Sequence, residues 1–471
     1  MTTHCDVAVV GAGPAGHEAA LHATRAGARV VVVDREPRAG GACVRHGTIP
    51  SKTLRETALA LTGLRRRTGG VVDPVLPEDA RVASLTTRLA RVVEAHETQA
   101  ARQLAEHGVT LWHGRAGFVD AHTLEVQGVD RSLRRLRADT VVLAPGSRPR
   151  SPREVAVDHE NVYDSDSVLS MTYLPVSLTV LGAGVIACEY ASVFAALGVR
   201  VTLVDRAPRP LGFLDGELVE RFVAAFTAAG GRYLGGAAVT ACAWDGVASV
   251  ETTLAGGLSL QSDKALCALG RVANAEHLGL AAAGLAVTDR GVIAVDAYGR
   301  TAVPHIYAVG DVAGPPALAA AALEQGRRAV RHALGLGTGS GAGALPVGVY
   351  TIPEMASVGM TEAEAVARHG GASVGRAEFG QVARGHIAAI EGGLLKLVAD
   401  PTGRMLLGVQ VVGEGAAELV HVGQMALLGG LGVDVFVDNV FNFPTMAEAY
   451  RVAALDLVAQ RSAGASLRPT G

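Results

Sequence analysis

The chain has 471 residues, 49% hydrophobic and 18% charged, with Lys+Arg 42 against Asp+Glu 45 and a formal net charge of -3. That length excludes a single core and points to about three domains at roughly 100–200 residues each. The composition excludes whole-chain disorder, and the near balance of charge excludes the basic excess of a dedicated nucleic-acid or anionic-membrane binder.

Asp6–Val10 reads as a short apolar strand, preceded by a polar start with no charged region, apolar core and cleavage site of a signal peptide. Every apolar run along the chain is broken before the roughly 18 residues that would span a bilayer. The five cysteines, Cys5, Cys43, Cys188, Cys242 and Cys267, show no C-x-x-C spacing, so neither a metal site nor a secreted disulfide framework is expected. A cytoplasmic protein acting on small molecules, with no membrane or nucleic-acid partner, is the expectation.

The loop Gly11-Ala12-Gly13-Pro14-Ala15-Gly16 follows that strand and opens a helix running through Thr24, and Arg29–Val33 forms the next strand, ending at Asp34. In such a strand-turn-helix the glycines turn tightly, admit a pyrophosphate and pack helix on strand, and the helix N-terminus presents free amides and its positive dipole end. Asp34, about twenty residues on, can accept hydrogen bonds from a ribose diol. Arg81–His107 reads as a helix, Leu111–Val126 as short strands, and Asp139–Leu143 as a strand ending at Pro145-Gly146.

From Leu178 the pattern repeats: strand Leu178–Leu181, loop Gly182-Ala183-Gly184-Val185-Ile186-Ala187, helix to Ala196, and strand Arg200–Val204 closed by Asp205. Alanine in the third position is the allowed variant of the loop, and two nucleotide-binding units are therefore expected. Asp205 would repel a 2′-phosphate about 4 Å away by ~4 kcal/mol at an effective dielectric of about 20, roughly a thousandfold preference for NAD. The neighbouring Arg206 can offset that repulsion, which leaves the coenzyme preference open. A third strand is expected at Ile306–Val309, a flexible Gly/Ser-rich connection at Gly335–Gly343, and a last α+β domain from Leu345 with strands Leu394–Val398 and Leu406–Val412 and helices Gly415–Leu428 and Thr445–Val458.

The segment Gly40-Gly41-Ala42-Cys43-Val44-Arg45-His46-Gly47-Thr48-Ile49-Pro50-Ser51-Lys52 resembles the flavin-facing helix of the flavoprotein disulfide reductases, the lipoamide dehydrogenase and glutathione reductase group. Ala144-Pro145-Gly146, Tyr307-Ala308-Val309-Gly310-Asp311, Thr351-Ile352-Pro353-Glu354 and Phe443-Pro444-Thr445-Met446-Ala447-Glu448 resemble further landmarks of that family, in family order. The likeness covers nearly the whole chain. It implies an α/β protein with two Rossmann-like dinucleotide-binding domains and a C-terminal α+β dimerisation domain. The expected division is FAD-binding at 1–150 and 271–340, NAD(P)-binding at 151–270, and dimerisation at 341–471, in a homodimer.

The resemblance also implies FAD, NAD and NADP as cofactors, with Asp311 on the flavin's ribitol and Lys52 and Glu189 as a catalytic ion pair beside the reactive ring. A lysine there stabilises negative charge on the ring, and a carboxylate beside it keeps the buried cation compensated. Cofactor contacts are implied at Gly11, Gly13, Pro14, Ala15, Gly16 and Asp34 of the first loop and at Gly182, Gly184, Val185, Ile186, Asp205 and Arg206 of the second. They extend to Arg35, Gly41, Ala42, Cys43, Thr48, Ala116, Gly146, Gly270 and Gly310. No metal ligand is implied.

Two positions depart from the family pattern. Disulfide reductases carry a second cysteine where this chain has Thr48, and a histidine acid/base where it has Phe443, which cannot move a proton. Within the family the stretches Gly47–Lys52 and Asn442–Arg451 are most similar to the soluble pyridine nucleotide transhydrogenases. That likeness implies ping-pong hydride transfer between NADPH and NAD through the flavin, of the Si-specific type, with Cys43 a packed remnant. A quinone or dye reductase and a non-catalytic nucleotide sensor stay open as alternatives.

Overall fold

In the computed structural model, which describes residues 2–68, 71, 78–339, 341, 343–390 and 392–466, the valine runs of the first unit form the centre of a sheet. Val7, Val9, Val31 and Val32 are buried, as strands covered on both faces by helices require. The seven strands run in the order Thr110–His113, Val30–Asp34, Thr2–Val10, Leu133–Leu143, Thr123–Gln127 and Arg115–Asp120, and Ile306–Ala308 pairs parallel with Leu133–Leu143. The strand expected at Asp139–Leu143 thus begins six residues earlier. Its first part, rich in arginine, pairs antiparallel with Thr123–Gln127 and is exposed at Leu133–Arg135, so it lacks the apolar run that marks a buried strand.

Close backbone approaches explain the glycines of the loop. A Cβ on Gly16 would lie 1.9 Å from the Gly11 carbonyl oxygen, and one on Gly326 would lie 2.1 Å from that of Ala15. These two positions let helix Pro14–Arg25 close on its own loop and on helix Ala319–Ala333.

The second unit has five parallel strands in the order Arg232–Leu234, Arg200–Val204, Ser177–Leu181, Lys264–Cys267 and Val162–Asp164, flanked by a three-stranded antiparallel sheet. The third is a five-stranded antiparallel sheet, Val347–Val349, Met355–Gly359, Leu406–Val412, Leu394–Ala399 and Ser373–Glu378, backed by helices Ala416–Leu428 and Glu448–Ser466. One apolar cluster runs from Leu54 and Ala58 through Val180, Tyr190 and Phe222 to Val349 and Met355, so all three units share a core. The Gly/Ser-rich stretch at 335–343, expected as a flexible connection, is held at two carbonyls: Arg331 Nε donates to Gly337 O at 2.6 Å and Arg327 Nη2 to Thr338 O at 2.9 Å. Residues 340 and 342 of it lie outside the described residues. Among the described residues no helix is long and apolar enough to cross a membrane.

Charge locks the second unit to the third. Lys396 of the third sheet, its side chain 3% exposed, places Nζ 2.9 Å from Asp215 Oδ1, 2.7 Å from Glu362 and 3.3 Å from Glu217. Asp215 also caps helix Gly216–Ala228 and accepts the Glu362 amide at 3.3 Å, so its carboxylate joins two helix N-termini to one ammonium. Burial opposes the lysine charge, but the hydrogen bonds to Glu362 and Asp215 outweigh it and raise the Lys396 pKa above the usual lysine value. Its contribution is therefore complete below the ordinary lysine pKa and is lost only as pH rises through the higher folded value. Replacing Lys396 by methionine leaves the buried Asp215 carboxylate without a cation among the described residues, while Arg376 still reaches Glu217 and Glu362, and is expected to cost about 3 kcal/mol in denaturant unfolding. A cost below about 1 kcal/mol, the worth of an exposed pair, would contradict this account.

Candidate functional site

The first glycine loop turns directly into a helix whose N-cap is Gly13, with no side-chain cap and Pro14 in the first turn. The remaining first-turn amides are thus left for a ligand. Asp34 closes the loop: its Oδ2 accepts Ala12 N at 2.5 Å and its Oδ1 accepts Glu36 N at 2.8 Å. Each oxygen keeps a second lone pair for a ribose hydroxyl.

The second loop repeats this geometry. Asp205 Oδ2 accepts Ala183 N at 2.8 Å and Oδ1 accepts Ala207 N at 2.7 Å, and helix Val185–Ala196 is again capped only by a glycine, Gly184, with open space about it. Arg206 is exposed and makes no ion pair with the described residues, whereas Arg35 at the equivalent place lies 3.6 Å from Glu36. Val185 and Ile186 are half-buried at the start of that helix, and Val185 shares a face with Glu189 one turn on.

Between the loops the segment Gly41–Arg45 folds as a short helix against the first loop, where a Cβ on Gly41 would lie 2.7 Å from Gly13 Cα. Ala42 lies in the same short helix. Helix Thr48–Arg67 then carries Lys52, whose Nζ lies 2.6 Å from Glu189 Oε2 on the helix of the second unit. Their side chains are 23% and 8% exposed. Glu189 Oε1 accepts the Tyr350 amide at 2.9 Å, and the Lys52 ammonium stands 4.7 Å from the Tyr350 ring centroid. Lysine, glutamate and tyrosine thus come from three units of the chain and meet at one point.

Cys43, Thr48, Lys52 and Asp311 also converge. Burial pushes the Cys43 thiol above its usual pKa; the Thr48 side-chain hydrogen bond and the Lys52 charge pull it down, and Asp311 adds to the rise. All five cysteines are free. Asp311 takes a hydrogen bond from Ser147 on Oδ2 at 2.5 Å, and its Oδ1 accepts nothing from the described residues. Gly310 holds the turn before it and donates to Gln325 Oε1 at 2.8 Å. These residues fit a flavin dinucleotide: an uncapped helix start for the pyrophosphate, a carboxylate at each ribose or ribitol position, and a cation for the ring.

The remaining expected contacts lie around this line. Ala116 is buried in strand Arg115–Asp120, and Gly114 before it donates to the Asp34 carbonyl at 2.8 Å. Gly146 and Gly270 accept from Asn274 N and Arg150 N, beside the paired strands Ser147–Pro149 and Arg271–Ala273. Phe443, 70% exposed, stands on the third unit and is joined to Pro444 by a cis peptide. Sequence reasoning missed Ser147 and Tyr350. Adjacency to Gly146 and to the Thr351–Glu354 landmark was the only signal for either.

Residues 5–326 match the family model described as pyridine nucleotide-disulphide oxidoreductase, and 345–454 match its dimerisation domain. The chain is 41% identical over 459 residues to a soluble pyridine nucleotide transhydrogenase of Mycobacterium bovis, covering 96% of this chain and 97% of that one. It is 39% identical to one of Marinomonas sp., covering 97% and 99%. Among solved structures it is similar to LpdA from Mycobacterium tuberculosis, with a TM-score of 0.89 and 27% identity over 97% of this chain and 99% of that one. It is also similar to the HOCl-induced flavoprotein disulfide reductase RclA from Escherichia coli, with a TM-score of 0.86 and 25% identity over 96% and 99%.

Because burial raises the Cys43 pKa and the thiolate is the reactive form, iodoacetamide at neutral pH should alkylate it more slowly than a free cysteine. Peptide mapping of the folded and denatured protein checks this, and equal rates would contradict it.

Proposed function

Since the chain belongs to the pyridine nucleotide-disulphide oxidoreductase family, we propose that it is an FAD-containing NAD(P) transhydrogenase of the Si-specific type. In this reading NADPH and NAD visit one nicotinamide site in turn, in a ping-pong cycle without a redox-active disulfide, in a cytoplasmic homodimer. The observation that carries it is the 2.6 Å Lys52–Glu189 pair joining the flavin-type unit to the nicotinamide-type unit, next to a thiol whose neighbour is Thr48 and not cysteine.

The proposed division gives FAD to 1–150 and 271–340, the nicotinamide coenzyme to 151–270 and dimerisation to 341–471. Met425, Val440 and Phe443, exposed on the last unit at 63%, 93% and 70%, supply apolar surface for a second copy. FAD, when bound, supplies a two-electron carrier that takes hydride from one nicotinamide coenzyme and returns it to the other. Gly11, Gly13, Pro14, Ala15, Gly16 and Asp34 would hold its adenosine diphosphate half, aided by Arg35, Gly41, Ala42 and Ala116. Asp311, with Gly310, Gly146 and Thr48 around it, would hold the ribitol, and Cys43 would pack beside the flavin without bonding to it.

Lys52 holds positive charge at the reacting edge, and Glu189 keeps that charge in place while its other oxygen anchors the Tyr350 backbone. Gly182, Gly184, Val185, Ile186, Asp205, Arg206 and Gly270 would seat the second dinucleotide. Two amides already share the Asp205 charge, which weakens its repulsion of a 2′-phosphate, and the unpaired Arg206 can reach one. That combination suits a site that takes both coenzymes. Orientation of donor and acceptor, worth roughly 7–11 kcal/mol, carries the catalysis, and no side chain need be covalently changed.

Initial rates with NADPH and thio-NAD varied against each other should give parallel double-reciprocal lines. Intersecting lines overturn the ping-pong cycle, faster turnover with a quinone favours a diaphorase, and no turnover with any acceptor favours a nucleotide sensor. Arg206→Ala should raise KM for NADPH about tenfold, one charge-assisted hydrogen bond, and leave KM for NADH within about twofold. Equal changes for both coenzymes would remove Arg206 from the discrimination.

A further inference from the structure

The chain leaves the first sheet and returns to it through two short strands, Ser147–Pro149 and Arg271–Ala273, which pair antiparallel with Ser147 opposite Ala273 and Pro149 opposite Arg271. Arg271 uses its guanidinium in three directions. Nη1 donates to Asp166 Oδ1 at 3.1 Å and to Ser165 Oγ at 3.2 Å, both just past the second-unit strand Val162–Asp164. Nη2 donates to the Ser147 carbonyl at 2.8 Å, and Nε donates to Ser147 Oγ at 2.8 Å.

A guanidinium has donors and no acceptor, so Ser147 Oγ accepts from it and has one hydrogen to give. That hydrogen goes to Asp311 Oδ2 at 2.5 Å. The direction of the chain is therefore set: Arg271 to Ser147 to Asp311. Oδ2 already takes one hydrogen bond, and Oδ1, which accepts none from the described residues, is the freer oxygen for a ligand hydroxyl. The Asp166 ion pair holds the far end of the arginine, with both side chains largely covered at 22% and 31% exposure.

We propose that Arg271 is a positioning residue for the cofactor: through Ser147 it fixes which oxygen of Asp311 meets the flavin's ribitol, and through Asp166 it ties that orientation to the nicotinamide-type unit. This rests on the reading of Asp311 as the ribitol ligand. It assigns to the two crossing strands a role beyond connection, because the arginine that spans them belongs to the cofactor site by a single intervening hydroxyl.

The test is FAD release from diluted holoenzyme, followed by the rise in free-flavin fluorescence, for the unchanged protein, Arg271→Met, Ser147→Ala and the double variant. Each single variant should raise the FAD dissociation constant about tenfold, and the double variant should lose no more than either alone, since both break the same chain. Independent losses that multiply to about a hundredfold, or single variants that hold FAD as the unchanged protein does, would overturn the proposal. Should Arg271→Met not fold, Arg271→Lys keeps the charge but removes the Nε donor, and it is expected to match Ser147→Ala. An unchanged protein that carries no FAD would instead overturn the underlying flavoprotein reading.

Discussion

The architecture is organised around one largely buried ion pair, half-buried Lys52 with buried Glu189 at 2.6 Å. Burying two charges is costly, and such a pair persists only when its geometry is good and the remaining oxygen is satisfied. Both conditions are met here: Glu189 Oε1 takes the Tyr350 amide and the lysine faces the Tyr350 ring. The pair joins a helix from each of two nucleotide-type units, and a loop of the third satisfies the remaining carboxylate oxygen, so all three units meet at it. The shared apolar cluster supplies the contact area, and the Lys396 cluster supplies a second lock between the second and third units.

The same two-part device serves each nucleotide unit. A glycine-capped helix start leaves amides free, and an acid at the end of the next strand is itself anchored by two loop amides. Anchoring matters because an acid with both oxygens tethered presents its free lone pairs in a fixed direction. The two sites differ at the next residue, where Arg35 lies near Glu36 and Arg206 makes no ion pair with the described residues. Under the proposed function, that difference would let the second unit meet a 2′-phosphate that the first does not.

Much of this was legible in the sequence because it is local. Glycine loop, helix and acid lie within about twenty residues, a span over which period and spacing carry information. Lys52 and Glu189 were found by family resemblance, since residues 137 apart leave no local trace of their contact. The Ser147–Asp311 bond spans 164 residues, and the Lys396 cluster joins residues from three separate elements, so neither had a sequence signature. The first residues of strand Leu133–Leu143 are arginine-rich and exposed, which hides them from any rule based on apolar runs. The Gly/Ser stretch was read as flexible from composition alone, while the arginines of the preceding helix hold its carbonyls.

Under the proposed function, hydride passes between two nicotinamide coenzymes through one bound flavin, held by residues of this chain and without thiols. The most direct test of this is anaerobic stopped-flow absorbance of the Cys43→Ser holoenzyme, mixed first with NADPH and then with thio-NAD. Rapid bleaching of the flavin in the first mix and rapid recovery in the second are expected, at rates within about twofold of the unchanged protein, as for a half-buried thiol that packs and takes no part in the redox step. Bleaching without recovery, or loss of either step in the Cys43→Ser protein alone, would contradict it.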